Sequence, residues 1–224
     1  MPMLPIAGKI ILRLMWRLIY RIFGNDMNQC LIGLTGGIAT GKTTVSNYLR
    51  DRYGFPILDA DIYAKEAVEV DSPIFQEIVK RYGSEIQLEN RALNRTKLGD
   101  IIFNDHEEKK WLEAQIHPYV RKRFQEVIDS LDNQIIVLSI PLLIEANLTH
   151  LVSEIWVVFC HYDQQIQRLQ QRNYLTEQQA IARIKNQLPL AEKITRADVV
   201  LDNSGGLDFL YQQIDQIVKK RIQP

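Results

Sequence analysis

Residues 30–44 read Cys-Leu-Ile-Gly-Leu-Thr-Gly-Gly-Ile-Ala-Thr-Gly-Lys-Thr-Thr, and this stretch decides the fold. It opens with an apolar run typical of a buried strand, and helical periodicity begins at residue 42. Between the two, residues 36–43 match G-x-x-x-x-G-K-S/T, the pattern of a loop that encloses phosphate groups. Glycines let such a loop curl until its N–H groups point inward, and the following helix adds the positive end of its dipole. This succession predicts nucleotide binding.

Two side chains of the loop have roles that follow from their chemistry. Lys42 is long enough to reach the β- and γ-phosphates of ATP, and the Thr43 hydroxyl can ligate a Mg²⁺ ion that bridges the same phosphates. We expect ATP to contact the whole loop, namely Gly37, Ile38, Ala39, Thr40, Gly41, Lys42, Thr43 and Thr44.

Outward from the loop, short apolar runs alternate with helical stretches. Further strands are predicted at 56–58, 135–139, 155–160 and 199–201, and a last helix at 207–221. This alternation predicts an α/β fold with a parallel five-stranded sheet between two helical layers, the three-layer α/β/α core of phosphate-loop NTPases. Residues 62–130 have almost no strand pattern and are predicted to be a helical insertion beside the cleft. One domain is expected over 27–224.

Composition narrows the class of protein. The 224 residues are 46% hydrophobic and 24% charged, with a formal net charge of zero, so no nucleic-acid partner is expected. Cys30 and Cys160 lie in apolar runs, which fits buried thiols in a reducing cytoplasm better than a disulfide framework. Histidines and cysteines have no zinc-ligand spacing. The oligomeric state is left open between a monomer and a small homo-oligomer.

Residues 1–26 differ from the rest of the chain, with four basic side chains against one acidic. Arginines interrupt the apolar run 10–23 at every fourth position, whereas a membrane-spanning helix needs about 20 largely uncharged residues. A basic amphipathic helix that contacts a membrane surface through residues 9–23 is one interpretation. An N-terminal extension that is disordered, or not translated, is the favoured one.

Two carboxylates follow the second predicted strand, Asp59 and Asp61. The carboxyl ends of parallel strands border the ligand crevice, so a carboxylate here faces the transferred phosphoryl group from the acceptor side. It could accept a proton from the acceptor hydroxyl, orient that hydroxyl or hold Mg²⁺ through water. The alternative for Asp61 is to cap a helix that starts near residue 62. Asp59 is expected to be the structural member of the pair.

The rest of the pattern favours a small-molecule kinase. The predicted strand 135–139 has no aspartate at its end, unlike the metal-binding strand of a motor NTPase. Residues 163–196 are predicted to form a helical lid, where cationic side chains would stabilise charge on the transferred group and closure would exclude water. These side chains are Arg168, Arg172, Arg183, Lys185, Lys193 and Arg196. A solvated helix face is expected for most of them, and Arg172 stands out at its helix end.

Taken together, the motifs resemble the dephospho-CoA kinase family. The similarity covers residues 30–222, with landmarks at 32–38, 41–44, 59–61, 93–95, 102–103, 117–118, 141–145, 171–172, 183–187, 197–198 and 202–205. The resemblance implies transfer of the ATP γ-phosphoryl group to the ribose 3′-hydroxyl of dephospho-CoA, the last step in making coenzyme A. It also implies a nucleotide-binding core, a helical CoA domain and a lid.

The resemblance also implies roles for single residues. Asp61 is the candidate base, Arg172 the lid arginine, Thr35 a neighbour of the phosphates and Asn203 a neighbour of the adenine. Arg95 and His117 are expected on the acceptor side.

Ala39 departs from the family, which usually has glycine at this position. A methyl group fits there only if φ is negative, so we expect a negative φ and a small effect on binding. Two alternatives stay open: another phosphate-loop kinase of the shikimate or nucleoside monophosphate type, and a membrane-associated nucleotide-binding module without catalysis.

Overall fold

The structure, a computed structural model, describes residues 29–222. The expectations for residues 1–26, including membrane contact through residues 9–23, lie outside this range. Within it, none of the helices has both the length and the apolarity that crossing a bilayer requires.

The centre of the molecule is one parallel sheet of five strands in the order β2-β3-β1-β4-β5. The strands are β1 (Cys30–Gly36), β2 (Ile57–Asp59), β3 (Ile135–Ser139), β4 (Glu154–Phe159) and β5 (Val199–Asp202). The predicted parallel α/β sheet is confirmed, and each strand lies within one residue of its predicted bounds. Because β1 has β3 on one side and β4 on the other, the connections diverge there and open a crevice at its carboxyl end.

Helices cover the sheet and form its longest connections. Those before β3 are α1 (Lys42–Tyr53), α2 (Ala60–Glu66), α3 (Pro73–Tyr82), α4 (Arg95–Asn104) and α5 (His106–Asp129). Those after β4 are α6 (Tyr162–Asn173), α7 (Glu177–Lys185), α8 (Leu190–Ile194) and α9 (Leu207–Ile222). Short 3₁₀ turns occupy Ser84–Ile86 and Leu148–Leu151.

Two apolar layers fix the sheet between its helices. On one face, α1 and α9 pack their buried side chains against residues such as Trp156 and Val137. On the other face, α5 packs Phe124 against strand residues such as Leu138. Successive side chains of a strand point to opposite faces, which is why neighbours on β3 serve different layers. This arrangement holds the carboxyl ends of the strands, and the loops that follow them, in fixed positions.

The helices between β2 and β3 enclose a third, smaller core. Its buried side chains include Phe75 and Ile78 of α3 and Leu112 of α5. Helix α5 contributes to both this core and the core under the sheet. The helical region is therefore joined to the sheet through shared packing on one long helix.

Candidate functional site

A cleft of about 770 Å³ lies at the carboxyl end of β1. The loop after β1 and the first turn of α1 form its floor, and Asp61 of α2 and Arg172 of α6 line it as well. Pro141 and Leu142, which follow β3, add a further wall. The cleft therefore brings Lys42, Asp61 and Arg172 together, although they come from separate parts of the sequence.

The loop passes very close to other parts of the chain. Gly41 has a φ of 104°, and a Cβ atom built there would lie 2.0 Å from Nδ2 of Asn203. A Cβ atom on Gly37 would lie 2.6 Å from Nε2 of Gln165. Only glycine fits such contacts, because a side chain at either position would displace a buried amide that hydrogen-bonds the loop. The glycines of the motif thus give the loop its shape and its packing.

The expectation of a negative φ at Ala39 is wrong, because the structure has φ of 61° there. A non-glycine residue in this left-handed region costs roughly 1–2 kcal/mol, so neighbouring contacts have to hold it. Arg168 of α6 supplies them, with Nη1 donating to the carbonyl oxygens of Ala39 at 3.4 Å and Thr40 at 3.3 Å. Asn203 also donates to the Thr40 carbonyl, at 2.8 Å. The loop conformation is therefore maintained from outside the loop.

Lys42 is held at the floor of the cleft by a serine that the sequence reasoning did not select. Its Nζ donates to Oγ of Ser139 at 2.5 Å, and Ser139 donates in turn to Oδ2 of Asp59 at 2.8 Å. Nζ of Lys42 lies 3.8 Å from the same carboxylate oxygen. Ser139 ends β3, and the position could have been found from the predicted sheet, since the end of a strand beside β1 must border the loop.

The two carboxylates after β2 have separate tasks. Asp59 is the N-cap of α2, and its Oδ1 accepts the N–H of Asp61 at 2.9 Å. The alternative that Asp61 caps the helix is therefore wrong, and its carboxyl group is left to face the cleft. Partial desolvation, and then the charge of Asp59, raise the pKa of Asp61, while Lys42 and Lys65 oppose the shift. Its carboxylate is consequently a better proton acceptor than that of an ordinary aspartate.

Arg172 and Thr43 line the cleft with exposed side chains. Arg172 is in the last turn of α6, where its Nε donates to Oδ1 of Asn173 at 3.0 Å. Thr43 is in the first turn of α1. In residues 29–222, no three His, Cys, Asp or Glu side chains are grouped closely enough to hold a metal by themselves. A metal here would need ligands from a bound molecule.

Asn203, predicted to border the adenine, is buried and lines a smaller pocket of about 370 Å³. This pocket adjoins the loop, since it shares Ala39, Gly41 and Thr44 with the larger cleft. Gly205 and Gly206 form its outer side. The adenine role of Asn203 stays a prediction. The structure adds a supporting role, because the side chain hydrogen-bonds the Thr40 carbonyl of the loop.

In the part of the chain that the structure describes, three predicted site residues line neither the cleft nor the smaller pocket beside Asn203. Thr35 is fully buried in β1, and its hydroxyl donates to the Pro141 carbonyl at 2.9 Å. Arg95 is exposed at the start of α4, with Nη2 donating to the Lys65 carbonyl at 3.3 Å. His117 is half-buried in the middle of α5. The role of Thr35 near the phosphates and the roles of Arg95 and His117 on the acceptor side stay predictions.

Sequence reasoning missed the residues that hold the loop from α6 and from the turn after α7. Gln165 donates to the Ile38 carbonyl at 2.7 Å, and Gln187 accepts the Ile38 N–H at 2.7 Å. Lys193, grouped by sequence with the lid cations, is completely buried rather than on a solvated face. A lysine inside the short stretch 187–194, where apolar and polar residues mix, carries no local signal of burial.

Known proteins similar to this chain agree with one another. The family model for dephospho-CoA kinase matches residues 30–208. A dephospho-CoA kinase from Nostoc sp. is 57% identical over 189 residues, which cover 84% of this chain and 96% of that protein. A solved structure from Thermus thermophilus has a TM-score of 0.77 at 33% identity, covering 88% of this chain and 99% of its own. Dephospho-CoA kinase from Campylobacter jejuni has a TM-score of 0.63 at 26% identity, covering 88% and 98%.

Proposed function

The chain belongs to the dephospho-CoA kinase family, and on that premise we propose which of its residues carry out the reaction. The reaction transfers the γ-phosphoryl group of ATP to the ribose 3′-hydroxyl of dephospho-CoA and is the final step of coenzyme A biosynthesis. Membership in this family decides against the shikimate- and nucleotide-type kinases left open by the motifs. The observation that carries the residue assignment is that the phosphate loop, Asp61 and Arg172 line one cleft.

On the nucleotide side, the N–H groups of the loop hold the phosphates and Lys42 moves to them. In the structure Lys42 hydrogen-bonds neutral Ser139 and lies 3.8 Å from the Asp59 carboxylate, so a phosphate oxygen would replace the neutral partner with an anionic one. The smaller pocket beside Asn203 takes the adenosine, because it opens directly from the loop. The positive end of α1 adds to the attraction for the phosphates.

The residues present fit a Mg²⁺ ion that arrives with ATP. Mg²⁺ usually keeps several waters and takes one or two protein groups plus substrate phosphates, so a cage of carboxylates is not needed. Thr43 offers one hydroxyl in the cleft, and Asp61 offers a carboxylate for a water-mediated contact. When bound, the ion neutralises charge on the phosphate oxygens during transfer.

On the acceptor side, Asp61 receives the 3′-hydroxyl. The hydroxyl oxygen forms a bond to the γ-phosphorus as the bond to the ADP oxygen breaks, and the hydroxyl proton passes to the Asp61 carboxylate. Its raised pKa supports this assignment, because a partly desolvated carboxylate beside a second negative charge accepts a proton more readily. A loose transition state needs little base assistance, so Asp61 also serves to orient the hydroxyl.

Arg172 completes the site as the lid residues 163–196 close. Its guanidinium group lines the cleft, and its hydrogen bond to Asn173 is solvent-exposed, so it can leave that partner at small cost. In the closed state it stabilises the charge spread over the transferred group, and closure keeps water from accepting that group. The helical region 62–130 is assigned to dephospho-CoA, with Arg95 and His117 as its contacts.

The test is ADP release by the full chain with Mg·ATP, with and without dephospho-CoA, followed by mass analysis and location of the added phosphate. Substrate-dependent ADP release with phosphate on the ribose 3′-oxygen is expected. Shikimate and a nucleoside monophosphate serve as matched acceptors that should give no stimulation. Folded protein that binds ATP but is not stimulated by dephospho-CoA would contradict the assignment.

A further inference from the structure

Lys193 of α8 is completely buried, although lysine is among the residues least often found inside a protein. Its Nζ lies 2.7 Å from Oε1 of Glu145, 3.1 Å from the Pro141 carbonyl oxygen and 3.2 Å from the Gly36 carbonyl oxygen. These three acceptors match the three N–H donors of an ammonium group. Burial of a charge costs several kcal/mol, and the one carboxylate that pairs with Lys193 in the described residues, that of Glu145, is itself only partly buried. The lysine therefore calls for an explanation beyond packing.

Two of the three partners of Lys193, Gly36 and Pro141, line the cleft. Gly36 is the first residue of the phosphate loop, and Pro141 begins the segment that follows β3. The Pro141 carbonyl also accepts the hydroxyl of Thr35, so the ends of β1 and β3 meet at this point. The ammonium group thus joins the two loops that define where phosphates and acceptor can approach each other.

Lys193 ends a short stretch that contacts the phosphate loop twice. This stretch, residues 187–193, is named the return segment because it leads the chain back from α7 toward β5. At its start, Gln187 accepts the N–H of Ile38 at the tip of the loop. Glu145 contacts the segment near both of its ends. Its Oε1 accepts the N–H of Leu188 at 3.2 Å and lies 2.7 Å from Nζ of Lys193. Tip and base of the loop are held by one segment.

We propose that the return segment is a positioning element for the phosphate loop, with Lys193 fixing its base and Gln187 fixing its tip. The proposal rests on the proposed function. Because the segment follows α7 directly and is itself part of the predicted lid, residues 163–196, movement of the lid reaches the loop through these two contacts. The nucleotide phosphates and the lid arginine are thereby kept in register during transfer.

The need for such an element follows from the conformation of the loop. Ala39, next to Ile38, is in the left-handed region, and its own preference would take it elsewhere. Gln165 and Gln187 together bind both polar groups of the Ile38 residue, the carbonyl and the N–H. Loss of one contact would let the tip shift, and a shift of about 1 Å in a reacting group can cost a factor of 100 in rate.

The experiment compares Gln187→Leu and Lys193→Met with the matched variants Gln212→Leu and Lys220→Met, whose side chains are exposed on α9. All are made in the full chain. Calorimetric titration gives the affinities for Mg·ADP and for dephospho-CoA, steady-state kinetics give kcat and KM, and thermal melts report the fold. Lys193→Arg tests whether a cation alone restores function.

We expect the two return-segment variants to bind Mg·ADP about 10-fold more weakly and to lose about 10- to 100-fold in kcat, with dephospho-CoA affinity unchanged. Lys193→Arg should recover part of the loss, and the two α9 variants should match the parent protein. Lower melting temperatures with parental Mg·ADP affinity and kcat would overturn the inference, because that result describes a purely structural role. If Lys193→Met does not fold, Gln187→Leu decides in the same way.

The two proposals fail separately. A parent protein that is not stimulated by dephospho-CoA contradicts the acceptor assignment, while the Mg·ADP affinities of the variants still test the return segment. If dephospho-CoA stimulates the parent protein and the variants have parental Mg·ADP affinity and kcat, only the return-segment proposal is contradicted.

Discussion

The proposed nucleotide side of the cleft and its proposed acceptor side differ in how many hydrogen bonds from neighbouring elements hold them. On the nucleotide side, side chains from α6, the return segment and the end of β5 hydrogen-bond the loop backbone at Ile38, Ala39 and Thr40. On the acceptor side, Asp61 is solvent-accessible and its neighbour Ile62 is 61% exposed. The phosphate site is therefore formed in advance, whereas the acceptor wall still has surface to bury when its substrate arrives.

The difference matches what each ligand requires. A triphosphate brings several charges that must meet fixed dipoles, and preformed dipoles need no reorganisation during the reaction. The acceptor presents one reacting hydroxyl, and binding of its remote parts can close the site around it. Disruption of the nucleotide side should therefore affect every step, and disruption of the acceptor side should affect transfer more than nucleotide affinity.

The largest effect is expected for Lys42→Ala, which removes the lysine proposed to contact the phosphates on the nucleotide side of the cleft. Loss of one preorganised charge contact to the reacting group typically costs 100- to 1,000-fold in kcat, and the full loss here should be at least about that size. Turnover is measured by coupled ADP release, with Lys220→Ala as the control. Activity near that of the parent would remove Lys42 from the mechanism.

Asp61→Asn tests the proposed acceptor side of the cleft. We expect kcat to fall about 100-fold or more, within the usual range for a group that accepts a proton, while ATP affinity stays the same because the loop is untouched. Asp59→Asn is not a suitable control, since Asp59 caps α2. A fall in thermal stability without a fall in kcat would instead assign Asp61 a structural role.

The pH dependence of kcat provides a separate check on Asp61. The reacting form is the carboxylate, so kcat should fall as pH is lowered through its pKa. Since partial desolvation and the charge of Asp59 raise that pKa, the acid limb should lie above the value of about 3.9 for a free aspartate. The limb should vanish in Asp61→Asn. A limb that persists unchanged in this variant would assign the titration to another group.

Arg172→Ala should have an intermediate effect, because its guanidinium group contributes only once the lid has closed. We expect kcat to fall about 10- to 100-fold, with dephospho-CoA affinity little changed. Arg172→Lys, which keeps the charge but loses the planar donor geometry, should recover only part of the activity. Equal loss of kcat and of dephospho-CoA affinity would place Arg172 in the acceptor site instead.

The smallest effect is expected for Ala39→Gly. Glycine adopts a φ near 61° without strain, so the free energy of unfolding should rise by a few tenths of a kcal/mol to about 1 kcal/mol after its greater unfolded-state entropy is subtracted. Chemical denaturation measures this change, and Ala146→Gly, in the loop after β3, serves as the matched control. A clear loss of stability in Ala39→Gly would mean that the alanine methyl group contributes packing that exceeds the strain.

The sequence was sufficient to predict the sheet and the loop because both depend on local patterns of residues. Apolar runs of strand length gave the five strands, and the glycine–lysine motif gave the loop. Local patterns could not predict the side chains that support the loop, since Gln165 hydrogen-bonds a residue 127 positions away and Asn203 one 163 positions away. The positive φ of Ala39 follows from these distant contacts, and so a rule based on alanine alone gave the wrong sign.

The different roles of Asp59 and Asp61 show that sequence-based prediction is also limited for residues close together in the chain. Asp59 would cap a helix that begins at residue 60 and Asp61 one that begins at residue 62, so the choice depends on a two-residue difference in where the helix starts. The structure starts α2 at Ala60, which makes Asp59 the cap. Sequence patterns locate helix ends only to within a few residues, so the assignment had to come from the fold.

Helix α5 has a consequence for how freely this enzyme can be rebuilt. At 24 residues it is about 36 Å long, and it buries Leu112 in the small helical core and Phe124 beneath the sheet. Removal of residues 62–130 would take away the whole of α5, including Phe124, which packs beneath the sheet. The region is thus not an interchangeable module, and a new acceptor specificity would have to arise by substitutions on its surface rather than by exchange of the whole piece.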